Sequence, residues 1–336
     1  MTVAEAVGGP EEGAASPAGP PSSGRPGRRL LLRAVQLALT ALVTWWILDR
    51  VGLTLDALSG VDLAAWRPSW TLLLLSCVAL ALGYVASGLI WGRMVRDLGG
   101  PRLAPLDAVS VYMVANLGRY VPGKLWQIAG LAVLARRRGV PAAVATAAAV
   151  AGQAVALAGA TVVGFGAIVA GPPPLRRFTP WVAAGVVLVV ALVAVPALSR
   201  RSARVWFRLT RTDLPEGVEP GGADGLRWLA LYTLNWGLYA LAFWLLVRSF
   251  GLPGSPLVVA PAFAAAYVLG YAVLFAPAGI GVREGFLVAL LAPVMGTVPA
   301  GVLAGLARLW TTGVELLPAA AFWGRELAGK GRTDDG

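Results

Sequence analysis

The stretch that decides the fold is NLGRYVPGKLWQIAG, residues 116–130. A hydrophobic helical pattern stops at Pro122 and Gly123, restarts at once, and carries Arg119 and Lys124 across the break. Proline removes a backbone donor and ends its helix, and glycine permits the turn that follows. The pattern therefore predicts an interrupted helix with two cations beside the interruption.

A second stretch, LFAPAGIGVREGFLVAL at residues 274–290, has the same design. Here Pro277, Gly279 and Gly281 interrupt the apolar run, and charged residues follow directly. In hydrocarbon an unpaired backbone group costs several kcal/mol, so broken helices survive only where protein or a wet cavity covers the break. Both interruptions therefore point to one buried polar site.

The amino-acid composition indicates the environment in which these helix breaks lie. Of 336 residues, 57% are hydrophobic and only 13% are charged, whereas a soluble domain carries about 25% charged residues. The sequence therefore predicts an all-α polytopic integral membrane protein. The formal net charge is +11. In a membrane protein such an excess of lysine and arginine usually lies in the cytoplasmic loops. We therefore expect no nucleic-acid partner.

The absence of certain residue types narrows the chemistry. The sequence has no histidine and a single cysteine, Cys77. Serine–histidine triads, histidine metal sites and internal disulfides are thereby excluded. We expect no catalytic residues, no metal site and no cofactor, and the chain is not predicted to be an enzyme.

Hydropathy predicts about six full spans and two broken regions. The segment from 141 to 170 is rich in Ala, Gly and Val, so it should lie inside the bundle, where small side chains let helix backbones approach closely. The broken regions are 105–135 and 257–295. The predicted spans are 30–49, 70–92, 141–170, 178–198, 228–250 and 299–323.

Lysine and arginine counts orient the chain in the membrane. We predict that residues 1–27 form a disordered cytoplasmic tail. The transmembrane domain should extend over residues 28–325, and residues 326–336 should form a second cytoplasmic tail. The expected location is the inner (plasma) membrane, with multiple passes and both termini cytoplasmic. The basic clusters that we place inside are the N-terminal flank, 93–102, 136–138, 199–227 and the C-terminal tail.

These positions constrain the two broken regions. Because the loops on both sides of 105–135 lie inside, that region must enter and leave on the same face as a re-entrant hairpin. By the same reasoning 257–295 enters from the opposite face. This order predicts an inverted repeat, with repeat one at about 70–170 and repeat two at about 228–323.

One pair of residues agrees with the repeat. Gln153 follows Pro122 by 153 − 122 = 31 positions, and Arg308 follows Pro277 by 308 − 277 = 31 positions. Gln153 could equally serve only as a hydrogen-bonding residue between helices.

The restarted helices and their flanking charges predict an anion site, because free N–H groups and a partial positive charge mark a helix N-terminus. The four cations outnumber the two carboxylates, which we assign to gating or ion pairing. The predicted substrate-binding residues are Arg119, Lys124, Arg283 and Arg308; the carboxylates are Glu284 and Glu315; the supporting residues are Asn116, Pro122, Gly123, Trp126, Gln127, Gln153, Pro277, Gly279 and Gly281.

Structural roles stand beside these assignments. Arg119 or Lys124 could extend to the inner interface, and Glu284 could be a first-turn residue stabilised by the helix dipole. Arg308 and Glu315, seven positions apart on one helix face, could form a structural ion pair.

The motifs RYVPGKLWQIAGLAVLARRRGVP, PAGIGVREGFLVALL and LARLW resemble the lysylphosphatidylglycerol synthase transmembrane-region family of flippase-like proteins. The resemblance covers about residues 30–325. The family's first motif often reads Pro-Gly-x-x-Gly-Glu, and here Trp126 and Gln127 stand where Gly and Glu are expected.

The resemblance implies translocation of an anionic membrane lipid or a polyprenyl-phosphate-linked glycolipid across the bacterial inner membrane. Members of the aminoacyl-lipid branch carry a soluble synthetase domain after the membrane part, and we expect none here. Two alternatives stay open: a non-transporting partner of a glycosyltransferase or lipid synthase, and a membrane glycosyl- or aminoacyl-lipid transferase.

Overall fold

The computed structural model describes residues 66–120, 125–171, 173–177, 179–194, 222–273 and 281–331, together with Ala38, Leu42, Trp45, Trp46, Asp49 and Arg201. Every regular element in these ranges is helical, and a 3₁₀ turn at Leu117–Tyr120 follows the second helix. The helices are α1 (Trp70–Asp97), α2 (Pro105–Asn116), α3 (Leu125–Arg136), α4 (Ala142–Val169), α5 (Pro173–Arg176), α6 (Thr179–Ala194), α7 (Gly222–Ser249), α8 (Pro256–Ala272), α9 (Val282–Met295) and α10 (Thr297–Gly331).

Helices α1 and α7 form an antiparallel pair at the centre of the bundle. The N–H of Ser69 donates to the carbonyl of Ser249 at 2.7 Å, where α1 begins and α7 ends. At the other end, Trp228 Nε1 donates to Asp97 Oδ2 at 3.0 Å. These contacts define two ends of the molecule, which we call the Ser249 end and the Asp97 end.

The predicted interior position of the 141–170 segment is confirmed. A Cβ on Gly159 would lie 2.9 Å from the backbone N of Thr233 in α7. A Cβ on Gly164 would lie 2.8 Å from the backbone N of Ala265 in α8. Small residues therefore let α4 contact both helices backbone to backbone, as close packing in a membrane requires.

Helices α2 and α3 form the first helix pair, which begins and finishes at the Asp97 end. Arg138, just after α3, donates from Nε to Asp107 Oδ1 in the first turn of α2 at 3.0 Å. At the opposite tip, Gln127 Nε2 donates to Asn116 Oδ1 at 2.9 Å. The interrupted helix therefore returns toward its starting level, with its polar tip inside the bundle.

Helices α8 and α9 form the second helix pair, which opens at the Ser249 end. A Cβ on Gly254, just before α8, would lie 3.1 Å from Val294 near the end of α9. At the tip, a Cβ on Gly270 would lie 2.9 Å from the Cβ of Arg283. The two helix pairs therefore approach the middle of the bundle from opposite ends.

The packing of the helices repeats between the two halves of the chain. When α1–α4 is exchanged for α7–α10, the contacts α1–α2, α2–α3 and α3–α4 correspond to α7–α8, α8–α9 and α9–α10. The contacts α4–α7 and α4–α8 correspond to α1–α10 and α2–α10. Helix α6 packs against α4 and α7 and lies outside this scheme.

The structure supports a polytopic helical membrane protein. Within the described ranges, three helices are long and apolar enough to cross a membrane: Trp70–Asp97, Ala142–Val169 and Ala223–Ser249. Large apolar side chains such as Trp70, Leu234 and Leu309 are more than 70% exposed on the bundle surface, as lipid contact would require. The predicted first span lies largely, and the predicted N-terminal tail wholly, outside the described residues. The predicted C-terminal tail, 326–336, is described as far as Gly331, and that part continues α10 as helix.

Candidate functional site

A cavity lies between the two helix pairs, and its free space, including the part open to the surroundings, is about 620 Å³. Both helix pairs contribute to its wall, together with α1, α4, α7 and α10. The residues used below are Ser87, Tyr112, Asn116, Arg119, Gln127, Gln153, Tyr232, Asn235, Trp236, Tyr239, Phe263, Tyr267 and Arg283.

Arg119 and Glu315 form an ion pair that joins the first helix pair to α10. Glu315 is only 1% exposed, and both of its carboxylate oxygens accept hydrogen bonds. Asn116 Nδ2 donates to Oε1, while Arg119 and Tyr120 donate to Oε2, the latter at 2.7 Å. A buried carboxylate is tolerated when its lone pairs are satisfied in this way.

A second ion pair joins α9 to α10. Arg308 lies 3.6 Å from Glu284 Oε1, and its guanidinium carbon lies 5.7 Å from the centre of the Tyr120 ring. The other carboxylate oxygen, Glu284 Oε2, accepts the backbone N–H of Gly281 at 2.6 Å. Gly281 has φ of 79°, a conformation that favours glycine and lets the chain turn into α9.

This pairing differs from the arrangement expected from the sequence. The sequence left open a structural ion pair between Arg308 and Glu315 on one helix face, and a first-turn role for Glu284. Instead Glu284 pairs with Arg308 and Glu315 with Arg119. Neighbouring residues on a helix point about 100° apart, so Glu284 faces α10 whereas Arg283 faces the cavity.

Arg283 contacts aromatic rings rather than a carboxylate. Its guanidinium carbon lies 4.4 Å from the centre of the Phe263 ring and 5.7 Å from that of Tyr267. Within the described ranges it forms no ion pair. A guanidinium over aromatic faces is attracted by the ring quadrupoles, and these contacts supply no negatively charged partner. Arg283 is therefore the residue most available to an anion in the cavity.

Helices α1, α4 and α7 form a polar wall on another side of the cavity, which consists of Ser87, Gln153, Asn235 and Tyr239. Ser87 Oγ lies 2.9 Å from the Tyr239 hydroxyl and accepts from Asn235 Nδ2 at 2.8 Å. Asn235 Oδ1 and Gln153 Nε2 are buried and have no hydrogen-bond partner among the described residues. A buried polar group without a partner is costly, so these two atoms mark places where a ligand or water would bind.

The charge around the cavity is positive. Among the described lining residues the charged ones are Arg119 and Arg283, and no carboxylate lines the wall. With Arg308, Glu284 and Glu315, the described groups are three cations and two carboxylates. No group of three or more potential metal ligands occurs in the described ranges. The arrangement suits an anion with apolar and hydroxyl-bearing attachments.

The structure brings most of the described candidate residues together. Asn116, Arg119, Gln127, Gln153 and Arg283 line the cavity, and Glu315, Glu284 and Arg308 are linked to this wall by the two ion pairs and the Tyr120 ring. Trp126, at 55% exposure, lies outside the lining set. Outside the described residues are Pro122, Gly123, Lys124, Pro277 and Gly279.

Sequence reasoning missed the tyrosines and the asparagine of the cavity lining. Tyr112, Tyr232, Tyr239 and Tyr267 line the cavity with Asn235. The run LYTLNWGLYALAFW, residues 231–244, contained a usable signal. An asparagine with tyrosines three residues before it and four residues after it makes a polar stripe on one face of a helix, which is unusual in an apolar span.

Comparison with known proteins identifies the family of this helical bundle. The family model described as the lysylphosphatidylglycerol synthase TM region matches residues 33–319, which is most of the chain. No curated protein matches the sequence. The match includes both helix pairs and every charged residue of the cavity described above. The chain belongs to the lysylphosphatidylglycerol synthase transmembrane-region family.

Proposed function

We propose that the protein is a lipid translocase that moves an anionic lipid or a polyprenyl-phosphate-linked glycolipid across the bacterial inner membrane. The main support is Arg283, an arginine with no paired carboxylate among the described residues, in a cavity inside an apolar bundle. A charge at such a depth is expensive and is typical of a substrate pathway. A phosphate would compensate it.

In this proposal the two helix pairs are re-entrant hairpins of an inverted repeat, and six spans surround them. Their approach from opposite ends and the matching helix contacts of α1–α4 and α7–α10 support the repeat. Inverted repeats allow alternating access, because either half can rock against the other around a fixed site.

We place the Asp97 end in the cytoplasm, together with both termini. The described basic residues concentrate at that end, as the bias of lysine and arginine toward cytoplasmic loops predicts. They are Arg93, Arg96, Arg102, Arg136, Arg137, Arg138 and Arg227.

Glu315 acts in the proposed cycle as an internal substitute for the lipid phosphate. When the cavity is empty, Glu315 compensates Arg119. An entering phosphate binds Arg283 first and then competes for Arg119, because guanidinium groups bind phosphate in the same bidentate geometry as carboxylate. Release of Glu315 uncouples the first helix pair from α10, which permits the change of side. Glu284 and Arg308 remain paired and hold α9 against α10.

We further propose that the protein is not an enzyme. The chain has no histidine, and the two carboxylates near the cavity are occupied by arginines rather than free to act as a base. The alternative of a non-transporting partner for a glycosyltransferase predicts that charge changes at the cavity have no effect. The cavity's uncompensated arginine favours transport over that alternative.

Transfer between leaflets in proteoliposomes tests the proposal. Fluorescent phosphatidylglycerol is reconstituted with the purified protein, and its arrival in the outer leaflet is followed by dithionite quenching. We expect transfer above that of protein-free vesicles, and strong loss in an Arg283→Ala and Arg308→Ala double variant. Wild-type transfer by that double variant would reject the proposal. Arg248→Gln, an exposed arginine at the end of α7, is the control.

A further inference from the structure

We propose that the cavity selects a headgroup in which the phosphate continues into an uncharged, hydroxyl-rich group, such as a polyol or a sugar, and that it excludes headgroups bearing an ammonium. This inference rests on the proposed function and narrows its substrate class. The substrate that we infer therefore differs from lysylphosphatidylglycerol, the aminoacylated lipid after which the family is named. Three features of the described cavity support it: its charges, its unpaired polar atoms and its aromatic rings.

The charges of the cavity provide no partner for an ammonium. An ammonium in a low-dielectric site needs a carboxylate or several acceptors to replace its water. No carboxylate belongs to the described lining. Glu315 already accepts hydrogen bonds from three side chains, and Glu284 is occupied by Arg308 and the Gly281 N–H. Two guanidinium groups in the wall would also repel a third cation.

The unpaired polar atoms require both a donor and an acceptor from the ligand. Asn235 is 4% exposed and its Oδ1 lacks a donor, while Gln153 Nε2 lacks an acceptor. A hydroxyl group supplies both functions. An ammonium supplies donors only, and an ionised phosphate supplies acceptors only. A headgroup with several hydroxyls therefore completes the polar wall and leaves the phosphate to the arginines.

The aromatic rings suit a sugar or polyol as well. Trp236 and Tyr239 pack edge to face with ring centres 5.3 Å apart, and both line the cavity together with Asn235. Aromatic faces also attract ammonium groups, and this attraction is the main argument for an ammonium-bearing headgroup. The faces of Phe263 and Tyr267 are already used by the Arg283 guanidinium.

Native mass spectrometry of the full-length protein tests this selection. Equimolar mixtures would contain phosphatidylinositol, phosphatidylglycerol, phosphatidic acid, lysyl-phosphatidylglycerol and phosphatidylcholine with identical acyl chains. We expect phosphatidylinositol to be bound about three- to tenfold better than phosphatidic acid, as one or more additional hydrogen bonds would give. Lysyl-phosphatidylglycerol should bind at least about tenfold worse than phosphatidylglycerol. Equal or stronger binding of the lysyl lipid would overturn the inference.

Two substitutions of one residue sharpen the result. Gln153→Leu should reduce the preference for phosphatidylinositol over phosphatidic acid toward one. Gln153→Glu should raise the bound fraction of lysyl-phosphatidylglycerol, because it gives the cavity a carboxylate. Unchanged ratios in both variants would overturn the role of the polar wall.

The outcomes also separate this inference from the function on which it rests. Binding of every anionic lipid above phosphatidylcholine, without a hydroxyl preference or with the lysyl lipid preferred, rejects only the inference. No preference for any anionic lipid over phosphatidylcholine rejects the proposed function and the inference together.

Discussion

Arg119 and Glu315 lie 196 positions apart in the chain and form a single ion pair across the centre of the bundle. One partner follows the end of α2, and the other lies in the middle of α10. The pair therefore links the tip of the first helix pair to the helix that carries Arg308, together with the hydrogen bonds that Asn116 and Tyr120 donate to the same carboxylate.

The first prediction concerns the stability that this pair provides. Arg119→Gln leaves a buried carboxylate with two neutral donors, and the free energy of unfolding should fall. Removal of one partner from a buried pair costs about 3–5 kcal/mol, and we expect the lower end because the Arg119 side chain is 24% exposed. The double variant Arg119→Gln/Glu315→Gln should recover much of the loss. Unfolding in mixed micelles measures both; a double variant no more stable than the single one would contradict the pairing.

The second prediction concerns transport through the same pair. Glu315→Gln keeps a hydrogen-bonding side chain but leaves Arg119 without a compensating charge. Binding of phosphatidylglycerol should become tighter, because no internal anion competes, whereas its transfer between leaflets should slow, because release requires Glu315 to return. Equilibrium binding and dithionite quenching are measured on the same preparation. Weaker binding accompanied by faster transfer would be inconsistent with competition between Glu315 and phosphate.

The third prediction concerns the close contact at the first interruption. A Cβ on Gly118 would lie 2.7 Å from the backbone carbon of Trp126, so Gly118→Ala must push the start of α3 away. Overpacking of this kind costs about 1–3 kcal/mol. Gly237→Ala is the matched control, because nothing lies within 4 Å of its Cβ position. The control should be neutral or slightly stabilising, since alanine favours a helix; equal losses in both variants would refute the close approach.

The fourth prediction concerns Glu284, which has two roles. Its carboxylate pairs with Arg308 and accepts the N–H of Gly281 at the start of α9. Glu284→Gln should keep the second contact and lose the first, whereas Glu284→Ala loses both. Because loss of such an N-terminal contact costs about 1 kcal/mol, the alanine variant should be less stable than the glutamine variant by about that amount. Indistinguishable unfolding curves would argue against the capping role.

The fifth prediction concerns orientation in the membrane. In a Cys77→Ser background, single cysteines replace Arg102, Arg137 or Pro253, all of which are exposed. Arg102→Cys and Arg137→Cys bracket the first helix pair and should react with an impermeant maleimide only in inverted vesicles. Pro253→Cys should react only in intact cells or right-side-out vesicles. Labelling of positions 102 and 137 from opposite sides would show that the first helix pair crosses the membrane.

The sequence predicted two interruptions, and the described helices end at Asn116 and Ala272 and begin again at Leu125 and Val282. The prolines to which the sequence assigned the breaks, Pro122 and Pro277, lie outside the described residues. The helix ends were predicted less well. Helix α1 continues to Asp97 beyond the predicted residue 92, and α7 begins at Gly222 before the predicted residue 228. Hydropathy indicates which residues lie in the hydrocarbon core of the membrane. A helix can continue beyond that core into the interface as long as its backbone hydrogen bonds are satisfied.

The partners of the charged residues could not be predicted from spacing. Arg308 and Glu315 share a face of α10, yet each pairs with another part of the chain, Glu284 in α9 and Arg119 after α2. Such pairs depend on how distant helices pack against one another. The spacing of charged residues within one sequence does not reveal that packing. Asn235 was more accessible to sequence reasoning, since an asparagine in the middle of an apolar span already indicates a polar interior.

The most direct measurement compares two lipids in one vesicle population. Fluorescent phosphatidylglycerol and phosphatidylcholine with different dyes are reconstituted with wild-type protein, with Arg119→Gln/Arg283→Gln, and with the Arg248→Gln control. Phosphatidylglycerol should be transferred faster than phosphatidylcholine by the wild type and the control, and this difference should be lost in the double variant. Equal rates for the two lipids with wild-type protein, or an unchanged difference in the double variant, would contradict the proposed function.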